Sequence, residues 1–268
     1  MPSSPVSRDI TGQMIVLGSG TSVGVPVLGC GCAVCTSTNP KNYRTRCGLA
    51  LGLPGGTLLV DTPPDLRQQL LRERIGVVHA VVYTHEHADH IFGLDDLRIM
   101  QFYIGGPVPL YCEPRVEQRI RKSFDYAFQS RERLHPGAIP QLSPQTIGLD
   151  PFEALGTRIV PLRLQHGPHT PVLGFRIGNI AYCTDTSGIP PESIELLADL
   201  DVLLLDCLRR QPHVTHFGMK QALAVVEQLR PKTTLFTHIS HDLEHEETNA
   251  ELPTGVSLAY DGQCIPLS

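Results

Sequence analysis

THEHADH, residues Thr84–His90, is the stretch on which the reading of this chain turns. It follows VVHAVVY (Val77–Tyr83), a β-branched and nearly all-apolar run, which predicts a strand buried on both faces. Three histidines and one aspartate stand within the six residues that leave this strand: His85, His87, Asp89 and His90. Imidazole nitrogen and carboxylate oxygen together suit zinc, manganese or iron. His85 and His87 alternate with Glu86, so they can share a face while Glu86 points away. Asp89 and His90 fall on the next turn, where they could serve a second ion. A lone histidine on a loop is commonly solvated; four ligand groups at this spacing after a buried strand point to metal.

Outward from the motif, short strands and helices alternate. Strands are predicted at Met14–Gly18, at Leu49–Asp61 (two, about a Pro-Gly-Gly turn), Val108–Cys112, Thr157–Gln165, Val172–Ile177, Ile180–Cys183, Val202–Asp206, Thr233–Thr237 and near Val256–Tyr260. Helices are predicted over Asp65–Arg74, Gly93–Tyr103, Pro114–Phe128, Pro191–Leu197 and Phe217–Leu229. Residues 1–12 read as a mobile tail and 13–268 as one domain, without repeats or a linker. The alternation predicts a layered α/β fold. Several strands end directly in His or Asp, the usual way a sheet builds a site at its edge.

The composition agrees. The 268 residues are 41 % apolar and 18 % charged, which excludes disorder over most of the chain. A net charge of −5 argues against long nucleic acid as a partner. No apolar run reaches the 18 or so residues of a membrane span. The first residues, MPSSPVSRDITGQ, lack the apolar core of a secretory signal, so a cytoplasmic location is expected.

Cys30-Gly31-Cys32-Ala33-Val34-Cys35 places three of the eight cysteines within six residues. In a long chain without a signal, such clustering points to metal before disulfides. Three thiolates with small residues between them can wrap one zinc ion, and a fourth ligand is wanted. Cys47 is the nearest candidate in sequence. Cys47, Cys112, Cys183, Cys207 and Cys264 otherwise read as small apolar residues in or beside strands. The Gly-rich loop Gly18–Pro26 could offer backbone N–H groups to phosphate at the substrate edge. Arg44 and Arg46 read either as phosphate ligands or as solvated side chains. The stretch around His245 reads as charged and exposed.

THEHADH resembles the HxHxDH signature of the metallo-β-lactamase superfamily. The resemblance covers almost the whole chain and implies a four-layer αββα sandwich with a dinuclear site at the sheet edges. It implies His85, His87 and His166 on one ion, and Asp89, His90 and His238 on the other. Asp185 would bridge the two with a water, and Asp61 would orient a ligand histidine. His169 rivals His166 on spacing; the strand end favours His166. The segment LGSGTSVGVPVLGCGCAVC with HISH (His238–His241) resembles, more narrowly, the family of the carbon–phosphorus lyase pathway phosphodiesterase. That resemblance implies a structural zinc on Cys30, Cys32, Cys35 and His241, within a loop spanning 29–47. It also implies a general acid among His213 and His216, with THFG favouring His216 and Asp206 a candidate to orient it.

The activity so implied is hydrolysis of a small phosphodiester, cyclic esters among the candidates, by hydroxide shared between two divalent ions, zinc, manganese or iron. The catalytic residues would be His216, Asp89 and Asp185. Relatives that process tRNA share the site, but this chain is acidic and lacks an obvious basic arm. The alternatives are a lactone, thioester or β-lactam hydrolase of the same scaffold, or a non-hydrolytic protein resembling the pyrroloquinoline quinone B protein. A homodimer is compatible with the family; no sequence feature demands one.

Overall fold

The computed structural model describes residues 4–129, 135 and 137–267. Two seven-stranded sheets lie face to face. The first runs, in spatial order, β14 (Cys264–Pro266), β1 (Gln13–Gly18), β2 (Gly48–Leu53), β3 (Gly56–Val60), β4 (Ala80–Val82), β5 (Val108–Cys112) and β6 (Leu142–Thr146). The second runs β13 (Val256–Leu258), β12 (Thr233–Thr237), β11 (Val202–Asp206), β10 (Ile180–Cys183), β9 (Thr170–Ile177), β8 (Thr157–His166) and β7 (Phe152–Ala154). Each sheet is antiparallel on one side and parallel on the other: β3 to β6 in the first, β10 to β13 in the second.

The side-chain alternation of β4 shows why the chain layers this way. Val81 and Tyr83 face an outer core that includes Leu66 and Leu70 of α1 (Leu66–Glu73). Ala80 and Val82 face the core between the sheets, with Leu173, Phe175, Leu204 and Leu235 across from them. A strand covered on both faces must be apolar at every position, as Ala80–Val82 is. Further helices follow at α2 (Ala88–Ile91), α3 (Met100–Ile104), α4 (Pro114–Ser123), α5 (Pro191–Glu195), α6 (Met219–Leu229) and α7 (His245–Glu251). Val116 and Ile120 of α4 join the outer core of the first sheet, and Ala222 of α6 that of the second. The result is the αββα sandwich expected.

Four readings change. The segment Gly93–Tyr103 is not one helix but a 3-10 turn, Leu94–Ile99, followed by α3. The helix expected over Pro114–Phe128 stops at Ser123, where Phe124 leaves helical backbone, and a 3-10 turn, Asp125–Phe128, follows. Residues 1–3 of the tail lie outside the described residues; its later part is packed, with Ile10 buried, the Arg8 N–H donated to the Arg74 carbonyl and Thr11 bridged to Gly52. The stretch near His245 forms α7 with His245 itself buried and its backbone N–H donated to Asn42 Oδ1 at 2.9 Å. Among the described residues no helix is long and apolar enough to cross a membrane.

Candidate metal centre

Six strands bring their carboxyl ends to one edge of the sandwich. Asp61 follows β3, His85 to His90 follow β4, His166 ends β8, Asp185 follows β10, Asp206 ends β11 and His238 follows β12. Parallel strands place ligand-binding loops at this edge. Asp61, Asp185 and His238 adopt left-handed backbone with φ of 65°, 51° and 58°. For residues with a Cβ this costs on the order of 1–3 kcal/mol each and is seen mostly where function requires it. Hydrogen bonds hold these turns: Asp61 N–H to the Val82 carbonyl at 2.9 Å, and Ile239 N–H, just past His238, to the Ser19 carbonyl at 2.9 Å.

Two ligand clusters result. The ligand atoms of His85, His87, His166 and Asp185 lie within 4.8 Å of one another, as do those of Asp89, His90, Asp185 and His238. Asp185 belongs to both. Its Oδ2 stands 3.7 Å from His85 Nε2, while its Oδ1 stands 3.3 Å from His90 Nε2 and 3.4 Å from His238 Nε2. His85 Nε2 and His87 Nδ1 converge to 3.0 Å. Nitrogens and oxygens bound to a common ion at about 2.0–2.2 Å sit at comparable separations. The Nε2 atoms of His90 and His238 are buried with no hydrogen-bond partner among the described residues. A buried polar atom left so is costly, and a cation would satisfy both. The donor set therefore fits metal.

Neighbouring groups fix the rings. Thr84 donates its N–H to Asp61 Oδ1 and its hydroxyl to Asp61 Oδ2, both at 2.8 Å. The Thr84 oxygen then accepts from His85 Nδ1 at 2.9 Å, and Asp61 Oδ2 accepts from His90 Nδ1 at 2.7 Å. His166 Nδ1 donates to the Thr215 carbonyl at 2.9 Å. In each case the proton sits on Nδ1, so the Nε2 lone pair is free for an ion. Burial pulls the His166 imidazole down to about 4, keeping it neutral. Burial opposes ionisation of Asp185, but His238 and His90 hold it well below the carboxylate range. Burial also opposes charge on His238, yet Asp185 and Asp89 lift it to about 9.

His216 stands at the rim. Its Nδ1 donates to Asp206 Oδ2 at 2.7 Å, and its ring stacks on His238 with centroids 4.5 Å apart. His213 is further out, with its ring 5.4 Å from that of His216 and its Nδ1 facing the Thr215 hydroxyl at 3.1 Å. His169 is exposed on the turn after β8 and joins neither cluster. A separate cluster forms near the sequence's start: His241 Nδ1 lies 3.3, 3.6 and 3.4 Å from the sulfurs of Cys30, Cys32 and Cys35. Cys47 lies elsewhere, buried, with its thiol donated to the Gly20 carbonyl at 3.2 Å. Cys112, Cys183 and Cys207 are buried as expected, whereas Cys264 is exposed, because β14 is an edge strand.

Other expectations change here. Arg44 neither binds at the surface nor faces solvent: it is fully buried and donates to the carbonyls of Ser240 and Leu243 at 2.9 and 2.7 Å. Arg46 donates Nη1 to both carboxylate oxygens of Asp65, at 2.8 and 3.0 Å. The Gly18–Pro26 loop commits five N–H groups to protein: Ser19 to Asp261, Gly20 to Thr45, Thr21 to Ile239, Gly24 to Thr21 and Val25 to Arg44. Its glycines serve packing, since a Cβ on Gly20 would meet the Arg44 carbonyl oxygen at 2.6 Å. Thr84 and the Thr215 carbonyl escaped the sequence reading. Thr84 had a signal, a hydroxyl directly before the first ligand; a backbone carbonyl has none.

Residues 57–239 match the family described as the beta-lactamase superfamily domain. The chain belongs to the metallo-β-lactamase superfamily. Within the superfamily, a solved structure described as a new diphosphatase from the PhnP family is 43 % identical, with a TM-score of 0.88, and the match covers 94 % of this chain and 96 % of that one. Identity at that level over nearly both chains places this one in the PhnP family. An octanoyltransferase of Porphyromonas gingivalis is 38 % identical over 254 residues, 93 % of this chain; the chain spans only half the length of that protein. Coenzyme PQQ synthesis protein B of a Methylobacterium species is 27 % identical over 305 residues, covering 95 % of this chain and all of that protein. The chain thus has the metallo-β-lactamase fold, and its His and Asp clusters suit metal.

Proposed function

We propose that this superfamily member is a dinuclear metal-dependent phosphodiesterase acting on a small phosphate ester. The observation that carries the reading is Asp185, whose two oxygens face two separate ligand clusters. His85, His87, His166 and Asp185 would hold one ion; Asp89, His90, His238 and Asp185 would hold the other. Zinc and manganese are the expected metals, with iron compatible with the same donors. Two bound cations would supply a nucleophile at neutral pH by lowering the pKa of water, and would neutralise charge on the phosphoryl oxygens.

The chain's own residues do the rest. Asp61 and Thr84 keep the His85 and His90 rings aimed. Asp206 takes the Nδ1 proton side of His216, so that Nε2 can give a proton to the leaving alkoxide. Asp206 also stabilises the imidazolium before transfer, as a buried carboxylate does for a general acid. The relative described as a diphosphatase supports phosphoryl chemistry, and the acidic net charge of −5 favours a small substrate over long nucleic acid.

Hydrolysis of bis(p-nitrophenyl) phosphate by purified protein, with zinc or manganese added and with chelator as control, tests the reading. Turnover that the chelator removes is expected. Metal-loaded protein that leaves the diester intact would move the assignment to ester, thioester or lactone hydrolysis, or to a non-hydrolytic role like that of the PQQ synthesis relative.

Cys30, Cys32, Cys35 and His241 would hold a structural zinc. Cys35→Ser is expected to lose one zinc equivalent by elemental analysis. It should also cost on the order of 3 kcal/mol in urea unfolding, because the ion joins points 206 residues apart and closes a long loop. Full zinc content in the variant would dismiss the site.

A further inference from the structure

His238 is held unlike the other buried ligand histidines. His85, His90 and His166 each donate Nδ1 to a fixed acceptor. His238 Nδ1 is buried and has no partner among the described residues. Stacking on His216, with 13° between the planes, sets the tilt of its ring but not its reach toward Asp89 and Asp185. That reach depends on the backbone, which at His238 is left-handed and disfavoured.

The backbone just after His238 is clamped by one arginine at two carbonyls three residues apart. Arg44, fully buried, donates Nη1 to the Ser240 carbonyl at 2.9 Å and Nη2 to the Leu243 carbonyl at 2.7 Å. Nη2 also reaches Asn42 Oδ1 at 3.1 Å, and that same oxygen accepts the His245 N–H. Arg44 backbone pairs in turn with Val25, in the core of the cysteine loop beside Val34 and Cys35. No carboxylate forms an ion pair with Arg44 among the described residues; its buried charge is spent on carbonyls and one amide. A planar fork can hold several carbonyls at fixed spacing, which lysine cannot do.

We infer that Arg44 is a positioning residue that sets the turn His238–His241 as a unit. It thereby ties the second His/Asp cluster to the Cys30, Cys32, Cys35 and His241 cluster, while the His85, His87 and His166 cluster stands apart from it. The inference rests on the metal reading above, and its test reads metal affinity rather than turnover.

Arg44→Lys keeps the charge and loses the fork; Arg44→Met loses both and brackets the effect. Zinc titration of the two His/Asp equivalents, and cobalt titration followed by the thiolate charge-transfer band of the cysteine cluster, report the three sites separately. His238→Ala identifies the equivalent that belongs to the second cluster. Phe175→Leu, a buried change between the sheets, controls for lost stability. In Arg44→Lys the second-cluster equivalent and the cysteine-cluster cobalt should both weaken about 10–100-fold, with the first-cluster equivalent unchanged. Arg44→Met should weaken the same two sites further. The inference is overturned if those two sites do not weaken together, or if all three weaken as they do in Phe175→Leu. Wild-type protein that takes up no metal at the His/Asp clusters would overturn the functional reading itself, and this one with it.

Discussion

Asp185→Asn is expected to abolish hydrolysis of bis(p-nitrophenyl) phosphate, with kcat/KM down by about 10³-fold or more. Removing one hydrogen-bond donor from a preorganised site costs about 10²–10³. Asp185 is asked for more: its carboxylate oxygens face His85 on one side and His90 and His238 on the other, at 3.3 to 3.7 Å. An amide supplies one carbonyl oxygen and one NH2, so a single side can still be served and the other meets a donor. Metal content should fall with activity, toward one equivalent at the His/Asp clusters. The side chain is buried and its left-handed backbone tolerates asparagine, so the fold should persist. Folded variant with two equivalents and near-normal turnover would remove Asp185 from the bridging position.

His216→Ala should separate substrates by their leaving groups. A p-nitrophenolate departs without help, so the activated diester should lose no more than about tenfold. An alkyl or sugar leaving group needs a proton, and removing a general acid costs about 10²–10⁴-fold. Asp206→Asn should follow the same pattern more weakly, since it acts on His216 through one 2.7 Å hydrogen bond. His213→Ala, with its ring one step further from the site, should leave both substrates nearly unaffected. Equal losses on both substrates in His216→Ala would assign His216 to holding the His238 ring, on which it stacks, rather than to proton transfer.

Much of the site could be read from the chain because ligands at sheet edges sit next to strands, and buried strands announce themselves. THEHADH directly follows VVHAVVY; Asp185 and His238 follow Ile180–Cys183 and Thr233–Thr237, and both strands appear in the structure at the bounds expected. Spacing also brought the three clustered cysteines together, while resemblance alone supplied His241. What escaped reading depends on tertiary partners. NYRTRCG offers two arginines of equal appearance, yet one is buried under Ser240 and Leu243 and the other is paired with Asp65 on the surface side. No local pattern distinguishes them, because the partners lie 196, 199 and 19 residues away. Likewise the glycines after β1 resemble a phosphate cradle and instead let two backbones run close together.

The ligands come from different layers. His85, His87, Asp89 and His90 hang from the first sheet; His166, Asp185 and His238 hang from the second. An ion on either cluster would therefore be a rivet driven through both halves of the sandwich at one rim, whereas between the sheets apolar side chains do most of the holding. Stripped of metal, the molecule should loosen from that rim inward, as a book opens away from its spine. Amide exchange should then quicken first at Thr84 to His90 and at Thr184 to Thr186, and last at the paired residues of β8 and β9. The chemistry and the mechanical integrity of the rim would share the same atoms, so a cell short of metal would lose the clasp along with the catalyst.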